Sequence, residues 1–268
     1  MHQSQPVRIF IASAIVGFWM SLGWLLRLDP NSYLLVGIPL LLIFQLFIAR
    51  RPVTELWLKT NSSFRLSWWG LLAAALFMTY PVISLIQDWP RSALPIRLWG
   101  IAAILGAFPL AFTLTNATRM TWTFLGRCFL TAGILGSSMM ILFSIATHHG
   151  FRLPRNAGSI AAESFFLYLP ICFVIEEVFF RGGLDSFIQK DNDKHQWLTA
   201  IFLSSLWGWW HLPTTGQHGT QVIPLLIIFP LMHCAVGIPF SFYWRKSGSL
   251  LVPAMVHAFI DSVRNALM

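Results

Sequence analysis

Apolar residues run through this chain in long stretches, separated by short groups of polar residues. Several of the stretches reach about 18 residues or more, which is enough for a helix to cross a hydrocarbon core of roughly 30 Å. The sequence does not show the alternation of apolar and polar positions expected of membrane barrel strands, and helices satisfy their own backbone hydrogen bonds in lipid. The pattern therefore predicts an all-α fold, a polytopic bundle of transmembrane helices.

The pattern predicts nine spans, or eight if the short ninth segment is buried in protein. The predicted spans lie near 8–26, 33–49, 68–86, 96–115, 122–147, 162–182, 197–213, 221–244 and 249–267. No small-residue cleavage site follows the opening MHQSQPVRIF, so we expect the first span to be retained rather than removed as a signal peptide.

Composition supports a membrane location. Hydrophobic residues make up 56% of the chain and charged residues only 10%, whereas soluble domains carry about a quarter charged residues. The net charge of +8 comes mostly from residues between the spans, where topology and anionic lipid explain basic side chains. Nucleic acid is therefore not expected as a partner.

The basic residues also predict the orientation, because cytoplasmic segments are enriched in Lys and Arg. With the N-terminus inside and nine spans, eleven basic residues lie inside and six outside. The inside set is Arg8, Arg50, Arg51, Lys59, Arg65, Arg119, Arg181, Lys190, Lys194, Arg245 and Lys246; the outside set is Arg27, Arg91, Arg97, Arg152, Arg155 and Arg264. The loops 183–196 and 245–248 are then cytoplasmic.

Ionisable residues inside apolar segments concentrate beyond residue 160. Such residues are costly in a membrane and mark candidate functional sites. They are Glu163, Glu176, Glu177, Arg181, His211, His233, His257, Asp261 and Arg264. The three cysteines, Cys128, Cys172 and Cys234, have neither metal-site nor redox spacing and are interpreted as small core residues.

The segment FVIEEVFFRG, Phe173 to Gly182, contains two carboxylates with different expected partners. Glu177 and Arg181 stand at i,i+4 on one helix face and can form an ion pair. Glu176 is rotated by about 100° from Glu177 and needs a partner of its own, such as a histidine or water. A purely structural ion pair that pins helices together is the alternative interpretation of this segment.

Helix geometry brings three further groups to the depth of Glu176. In a hairpin that turns near 190–195, Glu176 and His211 lie about 20 and 24 Å from the turn, at 1.5 Å per residue. His257 and Asp261, in HAFID, share one face of the ninth predicted span at i,i+4, and His257 lies about 15 Å from the loop at Ser247, at 1.5 Å per residue. His233 reaches the same layer, although nothing specific pairs with it. A histidine among aromatic residues, as in WGWWH, is also common in an ordinary core or interface.

A carboxylate and a histidine can position and deprotonate a water, and a second histidine with a carboxylate or amide can stabilise an oxyanion. The same side chains could also bind Zn²⁺. The sequence contains no HExxH, no GxSxG and no evident phosphate-binding loop, so spacing dictates no metal. Hydrolysis of a peptide bond by activated water fits this set best.

Three ordered motifs resemble those of the CPBP family, the CAAX-protease and bacteriocin-processing intramembrane endopeptidases. EEVFFR (Glu176 to Arg181) is similar to the family's EExxxR, WGWWH to its FxxxH and HAFID to its HxxxN/D. The resemblance covers about 160–268. It divides the chain into variable, supporting spans over 1–150 and a catalytic core over 151–268.

The resemblance implies a multi-pass protease, expected in a bacterial inner membrane, with a cavity open toward the cytoplasm. Glu176 would be the general base and His211 its partner on the water, with Glu177 and Arg181 in support. His257 and Asp261 would bind the scissile carbonyl or complete the site. Metal-free catalysis is favoured, and Zn²⁺ held by Glu176, His211, His257 and Asp261 is the alternative.

Two positions differ from the usual motifs. Trp207 replaces the Phe of FxxxH, which is expected to enlarge a packing residue without affecting the chemistry. Asp261 stands where Asn is also common, and an Asp can donate to an oxyanion only when protonated. Asp261 is therefore expected to orient His257 or to bind a metal.

The expected substrates are membrane-associated or lipid-tethered peptides, such as bacterial leader peptides, and prenylated CAAX substrates only where the host prenylates proteins. Membrane lipid is the other expected partner. Two further functions remain open from the residues: a bacteriocin-immunity or scaffolding protein without turnover, and a proton-coupled transporter, since intramembrane Glu and His also form proton relays. Against transport, no inverted repeat is found and the polar groups cluster at one end.

Overall fold

Helices account for nearly all regular structure in the computed structural model, which describes residues 4–59, 63–89, 92–151, 153–189, 196–217 and 219–267. The α-helices are α1 Gln5–Leu25, α2 Pro30–Leu35, α3 Gly37–Ile43, α4 Trp68–Asp88, α5 Leu94–Thr115, α6 Arg119–Cys128, α7 Ile134–His148, α8 Ala157–Ile171, α9 Ser186–Ile188, α10 Gln196–Trp210, α11 Val222–Ser247 and α12 Leu251–Leu267. In these described ranges β pairing is limited to an isolated bridge between Leu58 and Ser249. The all-α prediction is confirmed.

Six helices in the described residues are long and apolar enough to cross a membrane, which supports an integral membrane protein. They are Gln5–Leu25, Pro30–Ala49, Trp68–Gln87, Leu94–Thr115, Arg119–Thr147 and Gly219–Ser247. They correspond to the first five predicted spans and the eighth. The predicted count of eight or nine is higher than this, because the other three segments form shorter helices: α8 and α10 have 15 residues each and α12 has 17.

The predicted continuous span at 162–182 is interrupted. Helix α8 ends at Ile171, a turn covers 172–175, and a π-helix runs over Val178–Asp185. Tight backbone hydrogen bonds, from Phe173 to the Pro170 carbonyl (3.0 Å) and from Val174 to Ile171 (2.9 Å), form the turn. The interruption lies immediately before Glu176, so both glutamates start a new helical segment rather than continuing α8.

Part of the orientation prediction concerns residues outside the described ranges. The predictions that lie outside the described residues are the hairpin turn at 190–195 and the basic residues Lys190, Lys194, Arg91 and Arg152. The orientation itself stays a prediction.

The segment between α3 and α4 packs against the C-terminal helices through its backbone. The Lys59 N–H donates to Gly248 O (2.9 Å), and the Leu250 N–H donates to Trp57 O (2.9 Å). The Trp57 indole N–H donates to Phe173 O (2.9 Å), at the turn before the glutamates. Residues of the N-terminal half therefore hold both the turn before Glu176 and the start of α12.

A buried aromatic cluster joins α1 and α2 to the end of α10. The Tyr33 hydroxyl donates to the Trp210 carbonyl (2.7 Å), and the Trp19 indole N–H donates to the Tyr33 carbonyl (2.8 Å). The Trp19 ring contacts the Phe179 and Trp210 rings edge-on, at centroid distances of 4.9 and 4.8 Å. These contacts fix the C-terminus of α10, and His211 is the next residue.

Gly182, in the π-helix, provides a test of the packing between the π-helix and the segment that joins α3 to α4. A Cβ at Gly182 would collide with the Leu56 backbone carbonyl, so Gly182→Ala is expected to destabilise the protein by about 1–3 kcal/mol through overpacking. Thermal unfolding in detergent measures the change. The control is Gly126→Ala in α6, where a Cβ meets nothing within 4 Å. Equal melting temperatures for the two variants would contradict the packing described here.

Candidate active site

Glu177 and Arg181 form a buried ion pair at the centre of the C-terminal helices. Arg181 Nε lies 3.5 Å from Glu177 Oε2, and the two side chains are 0% and 1% exposed. Arg181 Nη1 donates to Ser241 Oγ (3.3 Å), and the guanidinium lies 5.2 Å from the Trp207 ring centroid. Gly237 leaves the space that the guanidinium occupies, since a Cβ there would lie 2.9 Å from Arg181 Nη2. The structure thus contains the pair that the i,i+4 spacing indicates.

Glu177 has a second partner that the sequence did not indicate. Its Oε1 lies 3.0 Å from Nδ1 of His257, on α12. Glu177 therefore contacts both Arg181 and His257 instead of pairing with Arg181 alone. Spacing within one segment could not identify this contact, because the two residues lie 80 positions apart on different helices.

Glu176 faces three aromatic side chains from two other helices. Its Oε2 accepts the Trp207 indole N–H at 3.1 Å and lies 3.7 Å from His211 Nε2 and 3.9 Å from His257 Nε2. The side chain is 15% exposed, in contrast to Glu177 at 1%. The structure separates the two carboxylates as their rotation about the helix indicates: Glu177 is buried, and Glu176 is partly accessible.

The contact to the Trp207 indole corrects the expectation that replacing Phe by Trp only adds packing volume. The indole N–H donates directly to the candidate base. Trp207 also contacts Arg181, His211, His233 and His257 through its ring. An aromatic residue that carries a donor, four positions before a candidate histidine, was the signal available in the sequence.

The surroundings of His211 define which of its ring nitrogens carries the proton. Nδ1 lies 2.9 Å from the Trp207 carbonyl. A carbonyl can only accept, so Nδ1 carries a hydrogen, and in the neutral ring Nε2 is an acceptor. Two acceptors, His211 Nε2 and Glu176 Oε2, therefore face each other across 3.7 Å.

Asp261 touches His257 and a partner not considered from the sequence. Asp261 Oδ2 lies 3.5 Å from His257 Nε2, while Oδ1 lies 2.9 Å from Arg264 Nη1 at i,i+3. The orientation prediction counted Arg264 only as one of the basic residues on the outer side of the membrane. Its spacing from Asp261 was a usable signal for this ion pair.

His233 lies in the same group of side chains. Its ring centroid is 4.4 Å from that of His211 and 4.7 Å from that of Trp207. Nδ1 lies 2.7 Å from the Phe229 carbonyl, so Nε2 of neutral His233 is also an acceptor.

A cavity of about 200 Å³ adjoins these groups. One part of its wall is polar and contains His211, His233, His257, Asp261 and Arg264. The other part is apolar and includes Met139, Met140, Phe229, Met232 and Phe240, from α7 and α11. An apolar cavity with a few convergent polar groups is the usual form of a ligand site.

A second buried ion pair supports the site from one side. Arg245 Nε lies 2.8 Å from Asp185 Oδ1, and Arg245 Nη2 donates to Thr199 Oγ1 (3.0 Å) and Nη1 to the Gln196 carbonyl. The pair joins the π-helix, α10 and α11. Arg245 was assigned to a cytoplasmic loop from the sequence, and its partner was not identified.

A metal ion would need at least three donor side chains brought together. Within the described part of the chain, no three His, Cys, Asp or Glu side chains are arranged to hold a metal. Three of the four candidate zinc ligands, His211, His257 and Asp261, line the cavity, and Glu176 lies next to them, 3.7 Å from His211 Nε2.

The fold and site define a helical membrane protein with carboxylates and imidazoles gathered beside a cavity. Residues 159–263 match the family model described as type II CAAX prenyl endopeptidase Rce1-like. The match contains all six candidate site residues and confirms the resemblance that the three motifs indicated. The chain matched neither a curated protein nor a solved structure.

The buried pair predicts a large loss of stability when one partner is neutralised. Glu177→Gln leaves Arg181 without its countercharge, and breaking a buried pair in this way costs about 3–5 kcal/mol. Thermal unfolding in detergent is the measurement. Glu55→Gln is the control, because Glu55 and Arg51 lie 4.0 Å apart with side chains 25% and 36% exposed; its expected cost is below about 1 kcal/mol. Similar losses in both variants would argue against a central role for the Glu177 pair.

Proposed function

We propose that this protein is an intramembrane endopeptidase that cleaves membrane-associated or lipid-tethered peptides with a water activated by Glu176 and His211. The observation that carries the proposal is the pair of acceptors, Glu176 Oε2 and His211 Nε2, that face each other across 3.7 Å beside the cavity. A water about 2.8 Å from each atom can donate one hydrogen to Glu176 and the other to His211. The family match at 159–263 supports proteolysis as the class of reaction.

The first step is attack of the water on the scissile carbonyl carbon. As the C–O bond forms, Glu176 takes one proton from the water, and His211 Nε2 accepts a hydrogen bond from the other hydrogen. The Trp207 carbonyl keeps His211 in the tautomer that this role requires.

His257 is proposed to stabilise the oxyanion that develops on the carbonyl oxygen. Three carboxylates surround its ring: Glu177 at 3.0 Å, Asp261 at 3.5 Å and Glu176 at 3.9 Å. Nearby negative charge favours the positively charged imidazolium, which presents Nε2–H as a donor. Glu177, at Nδ1, orients the ring. Asp261 contributes charge and is itself held by Arg264.

Collapse of the tetrahedral intermediate completes the hydrolysis. Glu176 passes its proton to the amide nitrogen, the C–N bond breaks, and the product is an amine and a carboxylic acid that then ionises. The carboxylate of Glu176 is regenerated. One water is consumed and no redox partner is needed.

The apolar wall of the cavity favours a substrate with apolar side chains or a lipid anchor near the scissile bond. Met139, Met140 and Met232 provide flexible, polarisable contacts that adapt to different shapes. A bacterial inner membrane, with the cavity reached from the cytoplasm, is part of the proposal.

Glu176 provides the main test. Protein reconstituted in phosphatidylethanolamine and phosphatidylglycerol vesicles is supplied with lipidated and unmodified membrane peptides, and products are detected by mass spectrometry. Glu176→Gln removes the base but keeps the size of the side chain, so the cleavage rate should fall by at least about 10²-fold.

The matched control is Glu163→Gln on α8, where Glu163 is exposed and contacts the Tyr80 hydroxyl (3.3 Å) outside the cavity. Its expected rate is unchanged. If Glu176→Gln cleaves as fast as the unchanged protein, Glu176 is not the base. If the unchanged protein cleaves none of the peptides, the immunity or scaffolding alternative gains support.

If the water is activated without a metal, the cleavage rate should not depend on chelators. Incubation with EDTA and with 1,10-phenanthroline, followed by removal of the chelator, should leave the cleavage rate unchanged. Elemental analysis should find well under one zinc per chain. A rate that is lost on chelation and restored by Zn²⁺ would establish the metal alternative with the same four side chains as candidate ligands.

A further inference from the structure

We infer that Trp207 is a positioning residue for the candidate base, and that its indole N–H holds the Glu176 carboxylate in the orientation that catalysis requires. This inference rests on the proposed function and adds to it a role for the first residue of WGWWH, which the sequence analysis treated as a packing residue. The observation behind it is the 3.1 Å hydrogen bond from Trp207 Nε1 to Glu176 Oε2.

The other neighbours of the Glu176 carboxylate do not fix its orientation. His211 Nε2 at 3.7 Å and His257 Nε2 at 3.9 Å are both beyond ordinary hydrogen-bonding distance. Among the described residues, the Trp207 indole is the group found hydrogen-bonded to this carboxylate. Its loss would leave the carboxylate free to rotate about its side-chain torsions, which are soft.

The Trp207 ring is itself packed on several sides, so it can hold the Glu176 carboxylate in a fixed orientation. The residue is 3% exposed. Its ring contacts Phe180 and Phe240 at centroid distances of 6.3 and 6.2 Å and the Arg181 guanidinium at 5.2 Å. The buried pair of Glu177 and Arg181 therefore supports one face of the indole that orients Glu176.

Trp207 also acts on His211 through its backbone. Its carbonyl receives the Nδ1–H of His211 at 2.9 Å, while its indole donates to Glu176. One residue thus sets the positions of both acceptors that would hold the water. A phenylalanine at this position keeps the backbone contact and loses only the indole contact, so the two effects can be separated.

The test compares Trp207→Phe with Trp209→Phe. Trp209 lies on the same helix and its indole N–H also makes a hydrogen bond, to the Leu226 carbonyl at 2.9 Å, but outside the cavity lining. In the vesicle assay, Trp207→Phe should lower kcat about tenfold, in line with loss of a hydrogen bond to a charged group. KM should stay within about twofold, because a contact to the base does not bind the ground-state substrate. Trp209→Phe should change neither parameter.

A second measurement needs no activity. Melting temperatures are determined for Trp207→Phe, Glu176→Ala and the double variant, and for the corresponding cycle with Trp209→Phe. Residues that share a hydrogen bond give non-additive changes, so the Trp207 cycle should deviate from additivity by roughly 3 °C and the Trp209 cycle should be additive.

The outcomes distinguish this inference from the proposed function. If the unchanged protein cleaves peptide and Glu176→Gln does not, while Trp207→Phe matches Trp209→Phe in kcat, the positioning role is wrong and the protease proposal stands. A loss confined to KM would assign Trp207 to substrate binding and overturn the inference. Additive melting temperatures in the Trp207 cycle would overturn it even if no substrate were found.

Discussion

The rest of the site depends on neutralising a positive charge that is buried completely. Arg181 is 0% exposed, and its charge is balanced by Glu177 on the same segment. Glu177 then reaches His257 on α12, and the Arg181 guanidinium supports the Trp207 ring. Much of the free energy of burying the Arg181 charge is offset by Glu177 within the same segment, and removing either partner would leave an uncompensated buried charge. These contacts tie together the π-helix, α10, α11 and α12, and they leave the second carboxylate, on Glu176, outside the buried pair and partly exposed.

The N-terminal half contributes to the site without adding a candidate catalytic group. Tyr33 holds the carbonyl that precedes His211, and Trp57 pairs with the backbone on both sides of the site, at Phe173 and Leu250. The family match begins at residue 159, so these contacts come from outside the matched region. Of these contacts, only the one from the Leu250 N–H to the Trp57 carbonyl uses a backbone group of this half, and a backbone carbonyl is present whichever side chain occupies the position. The other two contacts depend on side chains, the Tyr33 hydroxyl and the Trp57 indole.

What could be predicted from the sequence was local or followed from composition. Hydropathy identified the six long spans, and i,i+4 spacing identified the pair of Glu177 with Arg181. The interruption at 172–175 was not predicted, because a hydrophobic run looks the same whether its helix is continuous or broken. Contacts between helices, such as Asp185 with Arg245 and Trp207 with Glu176, depend on rotation about each helix axis, which spacing along one segment does not supply.

The local character of the Glu177 and Arg181 pair has a consequence for biosynthesis. His257 follows Glu176 by 81 positions, so at 5–20 residues per second the ribosome takes about 4–16 s to add it. During that interval the segment already carries its own countercharge and can enter the bilayer without waiting for α12. Before α12 inserts, the nascent chain lacks the group assigned to oxyanion stabilisation. Under the proposed mechanism, hydrolytic competence arises only after α12 has joined the other helices.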